Sequence, residues 1–570
     1  MQTTPSMQET SIVSATGLGT RPGPKPDPKP DPKPDRGGRS VEHWWRGAVI
    51  YQIYPRSFCD SSGDGVGDLG GIIERLDYVA DLGVDAIWVS PFFPSPMHDF
   101  GYDISDFCGV DPVFGSLADF DRLLAKAHGL GLKVIIDQVY SHSSVDHPWF
   151  QQSRSDRAND RADWYVWADA RPDGSPPNNW QSIFSGPAWT WDAQRQQYYL
   201  HNFLPQQPDL NLANPRVQDA ILDVARFWLD RGVDGFRLDA TNFYMHDPAL
   251  RDNPPRREPG SRPYEYQDHR YNRSQPENFA FIARLRRLLD SYPDTFSMAE
   301  IGDNDGIEEI ISYADGPDRL HSAYSFVFLE SPTLSAELID RALEPWQDTA
   351  GGAWPSWAFS NHDAPRVVSR WGRDDDARFA KILNATLACL RGTILLYQGQ
   401  ELGLPQADVP YHKLADPEAI ANWPNGLGRD GARTPMPWHA DRPYAGFSDV
   451  EPWLPVDPRH LPLAVDVQQR CETSIVAFVR RFLTFRRGHT ALLRGGLRFI
   501  AAPDPLVAFE RHDGADRLLC AFNLGDRAVT WRPDDAGTWT ALPDSGLGGA
   551  CTADGIDLPP FDGIIARPAR

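Results

Sequence analysis

Eight short apolar runs, mostly separated by enough chain for a helix, constrain the fold of this sequence more than any other feature. They lie at 49–54, 86–90, 132–139, 235–239, 296–300, 323–328, 357–361 and 393–397. Between the first two, Ile72, Ile73, Leu76, Val79 and Ala80 recur at helical spacing, and Gly83 is a natural stop. Residues 117–130 read as the helix before the third run. Strand and helix alternating eight times predict the α/β class, and a closed (β/α)8 TIM barrel rather than an open sheet.

Two intervals break that rhythm. Residues 143–207, rich in Trp, Asp, Pro and Gly, are too long for a simple loop after the third strand and are expected to form an inserted subdomain. Residues 401–453 are a second irregular insert, after the eighth strand. Alternating runs at 506–510, 517–523 and 528–531, with Gly, Asp and Pro between them, predict a C-terminal antiparallel β-sandwich over 492–570. The barrel then takes 41–142 and 208–491. Residues 1–40 carry a Lys-Pro-Asp-Pro repeat between Lys25 and Asp35. Proline lacks a donor and favours polyproline II, so a disordered, extended tether is expected there.

The net charge of −22 argues against a nucleic-acid partner, because such a surface repels phosphate. No apolar run reaches the ~18 residues that a membrane span needs. Residues 1–19 have neither the basic start nor the apolar stretch of a signal peptide, so a cytoplasmic location is expected. Six cysteines lie far apart with no CxxC, which disfavours a zinc site and a disulfide framework. The 28 Phe, 18 Tyr and 19 Trp suit either a large aromatic core or flat faces for sugar rings.

Active sites of such barrels sit at the C-terminal ends of the strands, so the charged residues there are informative. The third strand leads to Asp137 and His142, the fourth carries Arg237 and Asp239, the fifth ends in Glu300, and the seventh runs into Asn361, His362 and Asp363. Acidic residues often cap the helix after a strand. That accounts for one carboxylate, but not for three beside an Arg and two His. Converging carboxylates are what glycoside hydrolysis requires: one attacks the anomeric carbon, and another, kept protonated, protonates the leaving oxygen. Arg237, two residues before Asp239 on one strand face, can hold it ionised and aimed.

The segment Asp60-Ser61-Ser62-Gly63-Asp64-Gly65-Val66-Gly67-Asp68 has oxygen donors at alternate positions, as a hard cation prefers. Asp60, Ser62, Asp64, the Val66 carbonyl and Asp68 can wrap one Ca²⁺ or Mg²⁺. Position twelve is Gly71 and a strand precedes the loop, so it is not an EF-hand. An Asp/Gly turn without metal is the plainer alternative. Lying outside the carboxylate cluster, a cation here is expected to be structural.

Segments 137–142, 235–239, 299–300 and 359–363 resemble, in order, four hallmark segments of the α-amylase family of glycoside hydrolases. The resemblance extends over most of the chain from Trp44 and includes 83–91, 392–401 and Gln207-Pro208-Asp209-Leu210-Asn211, which looks like the segment marking the oligo-1,6-glucosidase and α-glucosidase subgroup. It implies a retaining mechanism on α-glucosides, with Asp239 as nucleophile, Glu300 as acid/base and Asp363 as the carboxylate that grips the sugar. His142 and His362 would hydrogen-bond the glucose, Asp137 would support the site, and Arg237 is placed with the substrate-binding group. Asp99 and Tyr102 look like the residues that hold the outer hydroxyls and stack on the ring. Arg429 looks like the arginine that closes the pocket against Asp99, with Arg433 as a rival. Phe184 and Phe203 are candidate pocket walls. Related α-glucosidases carry a metal in the loop at 60–68.

The sequence departs from the family at Ser141, where Asn usually precedes the His, which puts the local hydrogen bonding in question. In the resembling subgroup the residue after the nucleophile touches the acceptor-side glucose. Val there accompanies α-1,6 cleavage and smaller residues α-1,4; this chain has Ala240. The expected function is therefore a retaining, exo-acting α-glucosidase on short α-glucosides with an α-1,4 preference, passing the glucosyl group to water or to sugar or alcohol acceptors. The alternatives are a sucrose isomerase, a trehalose synthase or an oligo-1,6-glucosidase. A non-catalytic binding relative fits less well, because such relatives lose the carboxylates.

Overall fold

The computed structural model describes residues 43–258, 260–302, 306–373, 376–533 and 539–569. The Pro-rich segment expected at 1–40 lies outside them. Eight parallel strands form the centre: β1 (Val49–Ile53), β2 (Ala86–Val89), β3 (Lys133–Gln138), β4 (Gly235–Leu238), β5 (Phe296–Ile301), β6 (Ser322–Ser325), β7 (Ser356–Ala358) and β8 (Thr393–Tyr397). Their order is β7-β8-β1-β2-β3-β4-β5-β6. The ring closes between β6 and β7 through a single parallel bridge, Ala323 to Pro355, beside a hydroxyl pair, Ser322 and Ser356, 2.7 Å apart. This is the (β/α)8 barrel that the alternating pattern predicts.

The two faces of the strands make two cores. Ile50, Trp88, Ile135, Phe296, Met298, Tyr324 and Leu395 fill the pore, while alternate residues such as Tyr51, Ile87, Ile136 and Phe236 pack against the outer helices. Helix α1 (Leu69–Asp81) starts at Asp68, whose carboxylate accepts from the Gly71 N–H. Helix α2 (Leu117–Gly129) starts at a reciprocal Ser116/Asp119 capping box. Strand β6 ends before 328, because the Ser325 hydroxyl accepts the Val327 N–H and turns the chain.

The segment between β3 and β4 holds a helix (Pro148–Ser155) and a small antiparallel sheet of Trp167–Ala168, Gln197–Leu200 and Trp189–Asp192. It is tied back to the barrel by bridges His142 to Asp209 and Tyr165 to Leu210. At the C-terminal end, strands begin at Gly496, because residues 490–494 form a helix across the boundary expected at 492. A five-stranded and a three-stranded antiparallel sheet follow, sharing a core of Leu506, Leu519, Trp531, Ile556 and Ile564. Among the described residues, no helix is long and apolar enough to cross a membrane.

Candidate active site

The strand ends bring the predicted carboxylates together around one cation. Arg237, on β4, has no exposed surface. Its Nη1 donates to Asp239 at 2.6 Å and also to Asp137 at the end of β3; its Nη2 pairs with Glu300 on β5. The Tyr324 hydroxyl, on β6, accepts from Arg237 Nη2 at 3.0 Å and donates to Glu300 Oε1 at 3.0 Å. The Asp137 carboxylate also accepts from the Trp88 indole at 2.8 Å. Sequence reasoning grouped Arg237 with the substrate-binding residues. In the structure it is fully buried and its guanidinium bonds Asp137, Asp239, Tyr324 and Glu300, so it aims the carboxylates.

One guanidinium cannot neutralise three buried carboxylates. Burial pushes Asp239 and Glu300 up to about 7 each, with Arg237 opposing. Burial likewise raises Asp137 to about 6. The cluster therefore shares protons near neutrality, the coupled carboxyls titrating as one group.

Asp363 follows β7 and is set apart from that pair. Burial alone would raise it, but the Arg433 and Arg429 guanidiniums beside it hold it well below the usual carboxylate range. Arg433 donates to Asp363 Oδ1 at 2.8 Å and to the His362 carbonyl at 2.7 Å. Arg429 donates to Asp99 at 3.1 Å and to Asp363 at 3.3 Å. The Asp99 contact is made by Arg429, and its rival Arg433 grips Asp363. Burial raises Asp99 to about 6, against the pull of Arg429.

Both histidines are neutral, burial lowering His142 to about 4 and His362 to about 3. His362 stacks between Tyr54 and Tyr102, at ring separations of 5.5 and 5.4 Å, and its Nε2 lies 2.6 Å from the Tyr102 hydroxyl. His142 Nδ1 is 2.9 Å from the Ser141 hydroxyl, and its Nε2 is 3.0 Å from the Tyr102 carbonyl. Ser141, the departure from the family pattern, thus supplies the imidazole with a partner. Phe203 packs 5.1 Å from His142 and 5.9 Å from Phe184, whose ring lies 4.9 Å from the Arg429 guanidinium.

Four residues here went unassigned in the sequence. Tyr324 sits in a predicted strand but carries no charge to single it out. Asp416 grips Arg429 through both carboxylate oxygens, at 2.9 and 2.6 Å, from inside an irregular insert. Gln207 opens the Gln-Pro-Asp-Leu-Asn segment and donates to Asp99 at 3.2 Å. Tyr54 was visible only as the end of the first strand.

The loop at 60–68 suits a hard cation in donor type more than in arrangement. Asp60 accepts from Gly63 at 2.7 Å and Gly65 at 2.8 Å, and Asp64 from Val66 at 2.8 Å. Asp68 is committed to Gly71, Ser61 and Ser62 and to capping α1, so it fits a ligand role least. No group of three or more His, Cys, Asp or Glu among the described residues is arranged to hold a metal.

The family described as "Alpha amylase, catalytic domain" matches residues 52–495. A probable alpha-glucosidase of Rhizobium meliloti is 52% identical over 85% of this chain and 90% of its own length. An oligo-1,6-glucosidase of Heyndrickxia coagulans is 37% identical over 88% and 96% respectively. The crystal structure of an alpha-glucosyl transfer enzyme superposes with a TM-score of 0.90 at 52% identity, covering 92% of this chain and 99% of the other.

Proposed function

The chain belongs to the α-amylase family of glycoside hydrolases, and from that premise we propose that it is a retaining, exo-acting α-glucosidase on short α-glucosides. Asp239 attacks the anomeric carbon while Glu300 protonates the departing oxygen. Glu300 then removes a proton from the incoming acceptor, which releases α-glucose or an α-glucoside. Asp363, kept ionised by Arg433 and Arg429, grips the sugar hydroxyls, and His142 and His362 add hydrogen bonds to the same ring. Phe203 and Tyr102 line the ring faces. Asp99 with Arg429 bounds the far end of the pocket, which favours removal of one glucose at a time.

The observation that carries the retaining assignment is the sharing of one Arg237 guanidinium by Asp239 and Glu300. Two carboxyl groups bonded to neighbouring nitrogens of one guanidinium fit the ~5–5.5 Å separation of retaining enzymes. Proton NMR of maltose digestion tests it. The α-anomer of glucose should appear first, and a β-anomer as first product overturns the mechanism. Asp239→Asn should abolish turnover with the fold intact.

A second reading concerns the acceptor. The 52% identity to an alpha-glucosyl transfer enzyme supports transfer to sugars or alcohols at the same site. Product analysis with an added alcohol separates the two, since a pure hydrolase forms only glucose. For the loop at 60–68 the proposal is a structural Ca²⁺ or Mg²⁺ held by Asp60, Ser62, Asp64 and the Val66 carbonyl, on the strength of its alternating oxygen donors. Asp68 stays on the helix cap. A reducing, cytoplasmic compartment suits the six free thiols.

A further inference from the structure

We propose that Tyr411 and Trp423 form a sugar-stacking platform outside the pocket, which binds glucose units of a longer α-glucan chain projecting from it. The proposal rests on the α-glucosidase reading and extends it to substrate length.

Large apolar side chains are exposed at few places among the described residues, and Tyr411, Ile420, Trp423 and Leu427 fall within one stretch of the second insert. Tyr411 is 53% and Trp423 56% exposed, and their rings lie 5.1 Å apart at 56°, forming an open corner. Two exposed aromatic rings in direct contact form one apolar surface, of the kind that binding sites use. Two features join it to the pocket. First, the loop that carries Trp423 is closed at its neck beside a pocket residue: Asp416 grips Arg429, and the Asp430 carboxylate accepts the N–H groups of Ala415 and Asp416 at 2.7 and 2.9 Å. Second, Asn422, next to Trp423, accepts from the Ser185 hydroxyl, and Ser185 follows Phe184 under the Arg429 guanidinium.

The platform is also held still. Glu418 is fully buried, and its carboxylate accepts the Leu427 N–H at 2.6 Å and the Asn422 amide at 3.1 Å, which closes the turn that carries Trp423. A preorganised aromatic surface loses little entropy on binding. The chemistry points to a pyranose, because indole and phenol rings offer flat apolar faces with polar edges, matching a sugar ring with C–H groups on its face and hydroxyls around its rim. A glucose ring held outside the pocket contributes to binding but not to bond cleavage, so its effect belongs in KM.

The test compares maltose with maltotetraose in the full-length enzyme. Trp423→Ala and Tyr411→Ala should raise the ratio of KM for maltotetraose to KM for maltose by about three- to tenfold, with Trp423→Phe intermediate. Calorimetric titration of maltotetraose into Asp239→Asn and into Asp239→Asn/Trp423→Ala should show the same weakening without turnover. An unchanged ratio, or an equal loss on both sugars, overturns the platform. If the wild type cleaves no α-glucoside, the hydrolase reading fails, and the titration still decides the platform: weaker binding in the double variant supports it and equal binding overturns it.

Discussion

The main-chain N–H of Ala240 donates to Glu300 Oε2 at 3.0 Å. The residue after one candidate catalytic carboxylate therefore positions the other, and any displacement of this backbone is felt at both. Ala240 takes a left-handed conformation, φ 42° and ψ 47°, that aims its N–H at Glu300.

Glu300 should behave as an acid that loses its proton near neutrality. Burial raises its pKa to about 7, so the protonated form persists below that value and activity should fall as pH rises through it. Glu300→Gln should flatten this alkaline limb. It should also cost about 10²–10⁴ in kcat on maltose, but much less in the first step with a 4-nitrophenyl glucoside, whose leaving group needs little protonation. Equal losses on both substrates would remove Glu300 from the acid role.

Asp416 should act on binding through Arg429. Asp416→Ala leaves Arg429 buried with one bidentate partner gone, a kind of change that costs about 3–5 kcal/mol where no other group compensates. Here Asp99 and Asp363 remain within reach of the guanidinium, so the loss should be smaller. KM for maltose should rise about tenfold or more, and kcat should fall less. A fall in kcat alone, with KM unmoved, argues that the clamp has no part in holding glucose.

Asp416 also marks where the sequence stops being readable. The eight strands were legible because buried parallel strands read as apolar runs, and Asp239, Glu300 and Asp363 because their charges stand at strand ends. Asp416 and Tyr324 reach the site by a different route. Asp416 comes from an insert with no periodicity, 13 residues before the arginine it holds, and Tyr324 is an uncharged residue in a pore of apolar ones. The helix at 490–494 hid the start of the C-terminal sheet because its three buried residues, Ala491, Leu492 and Leu493, read equally well as strand.

Asp209, in the Gln-Pro-Asp-Leu-Asn segment, should make stability fall with pH. Burial raises it to about 7, and its carboxylate accepts from Asn202, with no cation beside it among the described residues. A folded-state pKa above the unfolded one means the folded protein holds the proton more tightly. That contribution is full below about pH 4 and is lost as pH rises through about 7. Asp209→Asn cannot ionise, so its Tm relative to wild type should improve by several degrees from pH 5 to pH 8. A Tm difference that stays constant with pH would show that Asp209 holds its proton no more tightly in the folded state than in the unfolded one.

A cation in the loop at 60–68 should stabilise rather than catalyse. Metal bound only by the folded state adds stability by mass action, and the loop's carboxylates spend their hydrogen bonds on loop and helix N–H groups such as Gly63, Val66 and Gly71 rather than on the catalytic cluster. EDTA should therefore lower Tm by more than it lowers the initial rate, and Asp64→Ala should reproduce the effect. Elemental analysis without a divalent cation, together with a Tm indifferent to EDTA, would dispose of the ion.

Linkage preference should be set in part by Ala240. Its small side chain leaves room for an α-1,4-linked ring, whereas the branched Val is bulky and stiff at χ1. Wild type should cleave maltose well and isomaltose poorly. Ala240→Val should shift the ratio of kcat/KM towards isomaltose by about fivefold or more, the scale of one methyl contact in a pocket. The substitution also places a β-branched residue at positive φ, at a cost of about 1–2 kcal/mol in stability. That strain disturbs the N–H bond to Glu300 for either sugar and so largely cancels in the ratio. Ala240→Gly, which relieves the strain and keeps the space open, should leave the preference for maltose in place. A wild type that prefers isomaltose, or a ratio unmoved by Val, would show that the acceptor-side glucose does not meet this side chain.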